Sequence, residues 1–286
     1  MKRVRFTGGE PFLNKDLQKI CKKARSLGLE ISFVTNGSLI FQSHINWIKE
    51  IEPLSIWISI YGFPSTIYEK ISGTRNKFIR VIQNIKRLIK NKIKVGIYYP
   101  VGNANYLTTG DFISYMYSIG IRKIKFIQVI NHGKSANNNG LNSCSDSELS
   151  YVLDEIISTI INLPSIEVKV SMKSGQSKLF KMKGFKIPEN LSCRIGLQNL
   201  WTIDSRGMVS PCCLFLNKNR MELFNALEWN EFIKWGNYHK ENIFENLGIK
   251  TESITSCPAL HENELKEVEN SKEFVCPLSY AEINTL

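Results

Sequence analysis

The sequence predicts an α/β protein, a complete or partial parallel (β/α) barrel followed by a smaller cysteine-bearing α+β module. Three observations predict it. The first 130 residues alternate short β-rich apolar runs with segments of helical period. Successive strands stand about 24 to 40 residues apart, the spacing of right-handed βαβ crossovers. Five of the seven cysteines fall in the last third, where the alternation stops. A boundary near residue 185 therefore divides a barrel core at 1–185 from a module at 186–286.

The elements follow in order. Val4 to Thr7 reads as a strand, and Leu17, Ile20, Cys21, Ala24 and Leu27 form a helical stripe that Gly28 ends. Glu30 to Thr35 is a second strand, Ile40 to Ile51 a helix and Leu54 to Tyr61 a third strand. Phe78, Val81, Ile82, Ile85, Leu88 and Ile89 make the clearest amphipathic helix. Lys92 to Tyr99 is a fourth strand, Leu107 to Ile119 a helix ended by Gly120, and Lys123 to Ile130 a fifth strand. Residues 131–143, with five Asn, are a loop. Ser145-Asp146-Ser147-Glu148 is a capping box that opens a helix through Ile161, Pro164 breaks it, and Ile166 to Val170 suits a further strand.

At 286 residues and 43% hydrophobic content the chain can bury a core. The net charge of +11 comes mainly from Lys spread along solvated helix faces such as Lys15 to Lys23 and Lys86 to Lys94. Such a surface favours anionic partners in general, but no zinc-finger spacing or aromatic-basic RNA signature accompanies it, so nucleic acid is not an expected partner. No run of about 18 apolar residues and no signal peptide occurs, which predicts a cytoplasmic protein with no membrane partner. An odd cysteine count in a reducing compartment suggests metal or iron-sulfur ligation over disulfides.

Unusual residues stand where barrel enzymes keep their working groups, just after each strand. The first strand runs into Gly8-Gly9-Glu10-Pro11, where two glycines let a ligand approach the backbone, Glu10 offers a carboxylate suited to an ammonium, and Pro11 stops sheet pairing. An ordinary glycine-rich turn is an equally weighted reading of that tetrapeptide alone. The second strand ends in Thr35-Asn36-Gly37, the third in Ser59-Ile60-Tyr61-Gly62, and Asn105 follows the fourth. Singly, these are turn and capping residues. In order, at successive strand ends, they become specific.

The ordered set resembles the radical SAM superfamily over about residues 3–135, and more narrowly its peptide- and protein-modifying members with SPASM or twitch tails, with a weaker match over about 190–280. The resemblance implies a partial (β/α) barrel binding S-adenosylmethionine at its C-terminal face. Gly8, Gly9, Glu10 and Pro11 match the motif that holds the methionine ammonium, Asn36 a strand end near the methionine, Ser59 a contact to methionine carboxylate or ribose, and Asn105 a ribose-side position. It also implies a four-iron cluster and an electron donor such as a flavodoxin or ferredoxin.

One departure stands out. The cluster-binding Cys-x-x-x-Cys-x-x-Cys loop, which in this superfamily follows a strand before the Gly-Gly-Glu-Pro strand, does not occur in the sequence. The expectation is a barrel lacking its first strand, shortened at the N-terminus and inactive alone. The alternative is an inactive homologue that binds a peptide or partner around a structural metal. Cys21, alone on a helix stripe, reads as a core residue and Cys144 as a loop residue.

The tail reads as a hairpin around Asp204 to Gly207, with Cys193 before it and Cys212-Cys213 at its exit, resembling the auxiliary-cluster hairpin of those tails. Cys257-Pro258 and Cys276-Pro277 add later thiolates. Four ligands from Cys193, Cys212 or Cys213, Cys257 and Cys276 suit one auxiliary 4Fe-4S cluster, and zinc is the competing metal. His44, His132, His239 and His261 show no catalytic or metal spacing, and Trp229, Phe232 and Trp235 read as core. The enzyme that cyclises GTP also carries C-terminal clusters, but the Gly-Gly-Arg-Arg-like terminus expected of it does not occur here. A peptide or protein substrate is the favoured reading.

Overall fold

The computed structural model describes residues 3–129, 140–173, 175–187, 201–210, 224–225 and 280–283. They fall into two compact units. One comprises residues 1–170, 183–186 and 282–286, the other residues 171–182 and 187–281.

The first unit is built on parallel strands β1 (Arg3–Phe6), β2 (Glu30–Thr35), β3 (Ser55–Ser59), β4 (Val95–Val101), β5 (Lys123–Gln128) and β6 (Glu167–Ser171). Each pairs in parallel with the next. A further strand, β10 (Tyr280–Glu282), stands next to β6 in the sheet order. Helices α1 (Leu17–Ser26), α2 (Gln42–Ile51), α3 (Ser65–Ser72), α4 (Lys77–Lys90), α5 (Thr109–Ser118) and α6 (Asp146–Ile160) connect the strands. This is the predicted α/β partial barrel. β1 stands at one end of the sheet, where Arg3, joined to Glu30 at 3.0 Å, and exposed Arg5 discourage pairing with another chain.

Alternation along the strands separates the two faces of the sheet. Phe33 packs on Phe12 and on Trp47 of α2, while Tyr99 and Phe126 pack on Phe112 of α5, so these residues mark the helix side. Ile56, Ile58, Ile97 and Ile124 lie on the same side by register and are buried. Ser32, Trp57, Ser59, Tyr98, Lys125 and Lys169 alternate with them onto the opposite face.

Helix ends follow the expected chemistry at α6, where Ser145 and Glu148 form the reciprocal capping box. At α4 the chain turns through Asn91 and then Lys92, which adopts positive φ without being glycine. β4 accordingly begins at Val95 and runs through Pro100 to Val101, later than the sequence suggested.

In the second unit α7 (Ser177–Met182) precedes a three-stranded antiparallel sheet of β7 (Thr202–Ile203), β8 (Met208–Ser210) and β9 (Phe224–Asn225). The β7–β8 hairpin turns at Asp204 to Gly207, as predicted. The Asp204 Oδ1 accepts from the Arg206 and Met208 N–H groups at 2.8 and 2.9 Å and so sets the turn.

Candidate functional site

β1 ends at Phe6 and delivers the chain into the glycine turn. Gly8 has φ +116, a conformation open essentially to glycine, and a Cβ added at Gly8 or Gly9 would meet nothing within 4 Å. There is open space above this backbone for a ligand. Glu10 follows in extended conformation and caps the short turn Pro11–Leu13.

The Glu10 carboxylate is fastened from two strand ends. Its Oε1 accepts from the Phe12 N–H at 3.1 Å and from the Thr35 hydroxyl at 2.7 Å, and its Oε2 accepts from the Asn36 N–H at 2.9 Å. A carboxylate has about four acceptor directions, so capacity remains for a further donor. Among the described residues Glu10 forms no ion pair. A half-buried carboxylate held by neutral donors is a preformed seat for a cation.

The β2 end is held in turn from behind. Thr35 Oγ1 accepts from the Gly37 N–H at 3.0 Å, and Asn36 Oδ1 accepts from the Ser38 N–H at 2.9 Å. Asn84, buried on α4, donates to the Gly37 carbonyl at 2.8 Å and accepts from Arg87 at 3.0 Å. The Asn36 side chain thus shapes its turn, and its backbone N–H serves Glu10.

At the β3 end the Tyr61 phenol sits near both Ser59 and Glu10. Burial raises its pKa above the ordinary tyrosine value, the Ser59 hydroxyl opposes that shift, and the Glu10 carboxylate adds to it. The Tyr61 ring lies 6.1 Å from that of Tyr68, whose phenol burial pushes up to about 12.

Asn105, 1% exposed, works as a clamp. Its amide donates to the Tyr61 and Pro100 carbonyls at 3.0 and 2.8 Å, and its oxygen accepts from the Gly102 N–H at 2.9 Å. Both amide hydrogens are spent within the protein. Asn105 therefore fixes the ends of β3 and β4 relative to each other.

Glu10 and Asn36 are joined directly by hydrogen bonding, with Gly8 and Gly9 on the approach. Ser59 and Asn105 enter through Tyr61. Pro11 is buried and holds the turn. Cys193, Cys212, Cys213, Cys257 and Cys276 lie outside the described residues. Sequence reasoning missed Thr35, Tyr61 and Asn84 as site-building residues. Thr35 and Tyr61 were within quoted motifs, whereas Asn84, a polar residue amid the apolar stripe of α4, was the one available signal of its role.

The comparisons with known proteins follow this geometry. The family model of the radical SAM superfamily matches residues 1–111. The match takes in β1 to β4 and the strand-end residues Glu10, Asn36, Ser59 and Asn105. A probable GTP 3',8-cyclase of Sulfurisphaera tokodaii is 26% identical over 132 residues, 45% of this chain and 41% of the relative. The Fe-coproporphyrin III synthase of Methanosarcina barkeri is 25% identical over 133 residues, 46% of this chain and 33% of the relative. A probable GTP 3',8-cyclase of Saccharolobus solfataricus is 30% identical over 129 residues, 44% of this chain and 41% of the relative. The matched stretches span less than half the length of these relatives.

Among solved structures, Streptococcus suis SuiB bound to S-adenosylmethionine superposes with a TM-score of 0.66 at 17% identity, covering 90% of this chain and 60% of SuiB. The protein anSMEcpe with bound S-adenosylmethionine gives 0.62 at 17% identity, covering 86% and 65%. These likenesses establish the shared radical SAM fold.

The superfamily implies S-adenosylmethionine and a 4Fe-4S cluster. The strand-end residues fit the first, because Glu10 presents a fixed carboxylate beside open backbone. The described cysteines do not fit the second. Cys21 is fully buried, with its thiol pushed up to about 12 by burial, and Cys144 stands in the loop before α6. Among the described residues no group of His, Cys, Asp and Glu is placed to hold a metal.

Proposed function

We propose that the strand-end site binds S-adenosylmethionine and that this radical SAM protein serves the radical modification of a peptide or protein substrate. One observation carries the cofactor assignment: Glu10 is an oriented carboxylate with three neutral donors, and it follows directly on Gly8 and Gly9, where an added Cβ would meet nothing within 4 Å. Glu10 takes the methionine ammonium. Ser59 and Tyr61 offer hydroxyl groups to the methionine carboxylate or ribose, and Asn105 holds the Tyr61 backbone. Bound there, S-adenosylmethionine would supply the radical chemistry of the superfamily, with Glu10, Ser59 and Tyr61 holding it in place. The protein's contribution is positioning and exclusion of water.

The fold-level neighbours favour a peptide. SuiB has been solved with its precursor peptide SuiA, and anSMEcpe with the Cp18Cys peptide, and they cover 86% and 90% of this chain. The curated relatives, whose names point to GTP and porphyrin chemistry, match 44–46% of it. The proposal keeps an auxiliary 4Fe-4S cluster on Cys193, Cys212 or Cys213, Cys257 and Cys276, with zinc as the competing metal, and an electron donor of the flavodoxin or ferredoxin type.

Calorimetric titration with S-adenosylmethionine is the test. The chain is expected to bind it, and Glu10→Gln to weaken binding at least 30-fold, about 2 kcal/mol. Absence of binding by the unaltered chain, or equal binding by the variant, removes the cofactor assignment. Anaerobic reconstitution then separates the metals: near four irons per chain supports the cluster, and stoichiometric zinc supports a structural tail.

A further inference from the structure

The buried face of α4 is apolar except at one position. Phe78, Val81, Ile82, Ile85 and Leu88 are buried along it, and Asn84, 4% exposed, stands among them. A buried amide is costly unless both its ends are bonded, and here both are. Its Nδ2 donates to the Gly37 carbonyl at 2.8 Å, 47 positions away, and its Oδ1 accepts from the Arg87 Nη1 at 3.0 Å. The same Nη1 lies 3.5 Å from the Ile40 carbonyl, so Arg87 ties α4 to the far end of the turn that follows β2. A guanidinium has donors only, so it must face the amide oxygen, which leaves the amide N–H groups turned toward Gly37. Arg87 thus decides which way Asn84 points.

The peptide that Asn84 grips adjoins the groups that hold Glu10. The unit joining Gly37 to Ser38 is fixed at its carbonyl by Asn84 and at its N–H by Asn36 Oδ1, at 2.9 Å. Gly37 has φ +72, and a Cβ there would stand 2.8 Å from Ile58 Cγ2 and 3.4 Å from Val81 Cγ1, so the turn sits closely against β3 and α4. The Gly37 N–H donates to Thr35 Oγ1 at 3.0 Å, and the Thr35 hydroxyl donates in turn to Glu10. Asn36 gives Glu10 its N–H. Bonds therefore run without a gap from Arg87 through Asn84, the Gly37–Ser38 peptide, and Thr35 and Asn36 to the Glu10 carboxylate.

We propose that Asn84 and Arg87 are positioning residues of the candidate site, setting its affinity for the cofactor ammonium from behind without touching the cofactor. The proposal rests on the reading of Glu10 as the seat of that ammonium. A carboxylate fastened from two strand ends receives a cation well only while those ends keep their relative position, since each donor that drifts lets the oxygens turn out of line. Two features set the pair apart from an amide that is merely structural. A leucine at position 84 would suit the apolar stripe, so burial by itself gives no reason for an asparagine there. The carbonyl that Asn84 satisfies belongs to the turn that carries Asn36, outside any helix or strand.

The test joins calorimetric titration of the full chain with S-adenosylmethionine to amide exchange of the ligand-free chain. Asn84→Leu nearly keeps the volume and leaves the Gly37 carbonyl without its donor. It is expected to speed exchange at the Asn36, Gly37 and Ser38 N–H groups at least tenfold, to leave exchange in α5 unchanged, and to weaken the cofactor at least tenfold. Arg87→Met, at a half-buried position, is expected to give three- to tenfold changes of the same sign. Arg87→Lys keeps a donor for Asn84 and is expected to stay within threefold of the unaltered chain in both measurements. Should Asn84→Leu fail to fold, Arg87→Met against Arg87→Lys decides. Unchanged exchange at the three N–H groups overturns the proposal. So does faster exchange with cofactor affinity intact, which makes the pair structural only, or an equal loss in Arg87→Lys and Arg87→Met. An unaltered chain that binds no S-adenosylmethionine overturns the cofactor reading, and locally faster exchange in the variants then still supports the pair as what positions Glu10.

Discussion

The two faces of one sheet differ in what they spend their side chains on. Toward the helices, β2 to β5 present Ile31, Phe33, Ile56, Ile58, Ile97, Tyr99, Ile124 and Phe126, each no more than 1% exposed. On the other face the same strands present Ser32, Trp57, Ser59, Tyr98 and Lys125, two aromatic side chains and three polar or charged ones. The first face holds the fold together by burial, each large side chain contributing about 1.5–3 kcal/mol. The second also buries Trp57 and Tyr98, and it adds the polar groups of Ser59 and Lys125. Large apolar side chains and polar groups therefore alternate along a single strand, residue by residue.

Truncation on the helix side gives the largest effect. Phe33→Ala removes a fully buried ring that touches Phe6, Phe12 and Trp47, and is expected to cost about 3–5 kcal/mol in urea unfolding. Ligand affinity of the folded fraction should be unchanged, and a change would mean the two faces are not independent.

Asn105→Ala comes next, because it strands the part-buried Tyr61 and Pro100 carbonyls and the buried Gly102 N–H. The expected loss is about 2–4 kcal/mol. Unlike Phe33→Ala, it should also weaken S-adenosylmethionine, since Tyr61 loses its anchor. A stability loss with affinity intact would make Asn105 purely structural.

Alkaline pH probes the buried acids of the first unit. Cys21, Tyr61, Tyr68 and Tyr99 all have pKa values raised by burial, so the folded protein keeps them protonated while the unfolded chain ionises near 9 for the thiol and 10 for the phenols. Stability is fully present below pH 9 and falls as pH rises above it, by up to about 1.4 kcal/mol per pH unit for each strongly shifted group. Urea midpoints at pH 8, 10 and 11 check the direction, and a flat profile would contradict the burial. Smallest is Tyr61→Phe, expected to leave the urea midpoint nearly unchanged and to weaken S-adenosylmethionine about three- to tenfold by calorimetry, about 1 kcal/mol.

Much of the helix side was legible in the sequence because its signals are local. Glu30 to Thr35 is bounded by Gly28 and Asn36-Gly37, and the strand lies where it was predicted. The helix of residues 77–90 follows from its apolar period. The fourth strand was displaced because Lys92 makes a positive-φ turn that glycine usually marks, and because Pro100 looks like a stop yet remains in β4. α3, only eight residues long, was not among the predicted helices. At the site, the motif residues stood out, but their joints did not. Thr35 reaches Glu10 across 25 positions, and Asn105 reaches Tyr61 across 44. The stack of Trp57 on Tyr98, with Lys125 over the indole, depends on register between three strands, which no single segment encodes.

The fastening of Glu10 by Thr35 and Asn36 makes the anchor a latch between β1 and β2. β1 is a four-residue strand at the end of the sheet, where fraying is easiest, and each opening of the latch takes the carboxylate out of register with its donors. A cation seated on Glu10 closes that latch and slows the fraying. Occupancy of the site is then written in the amide exchange of Val4 to Phe6, many bonds away from any substrate.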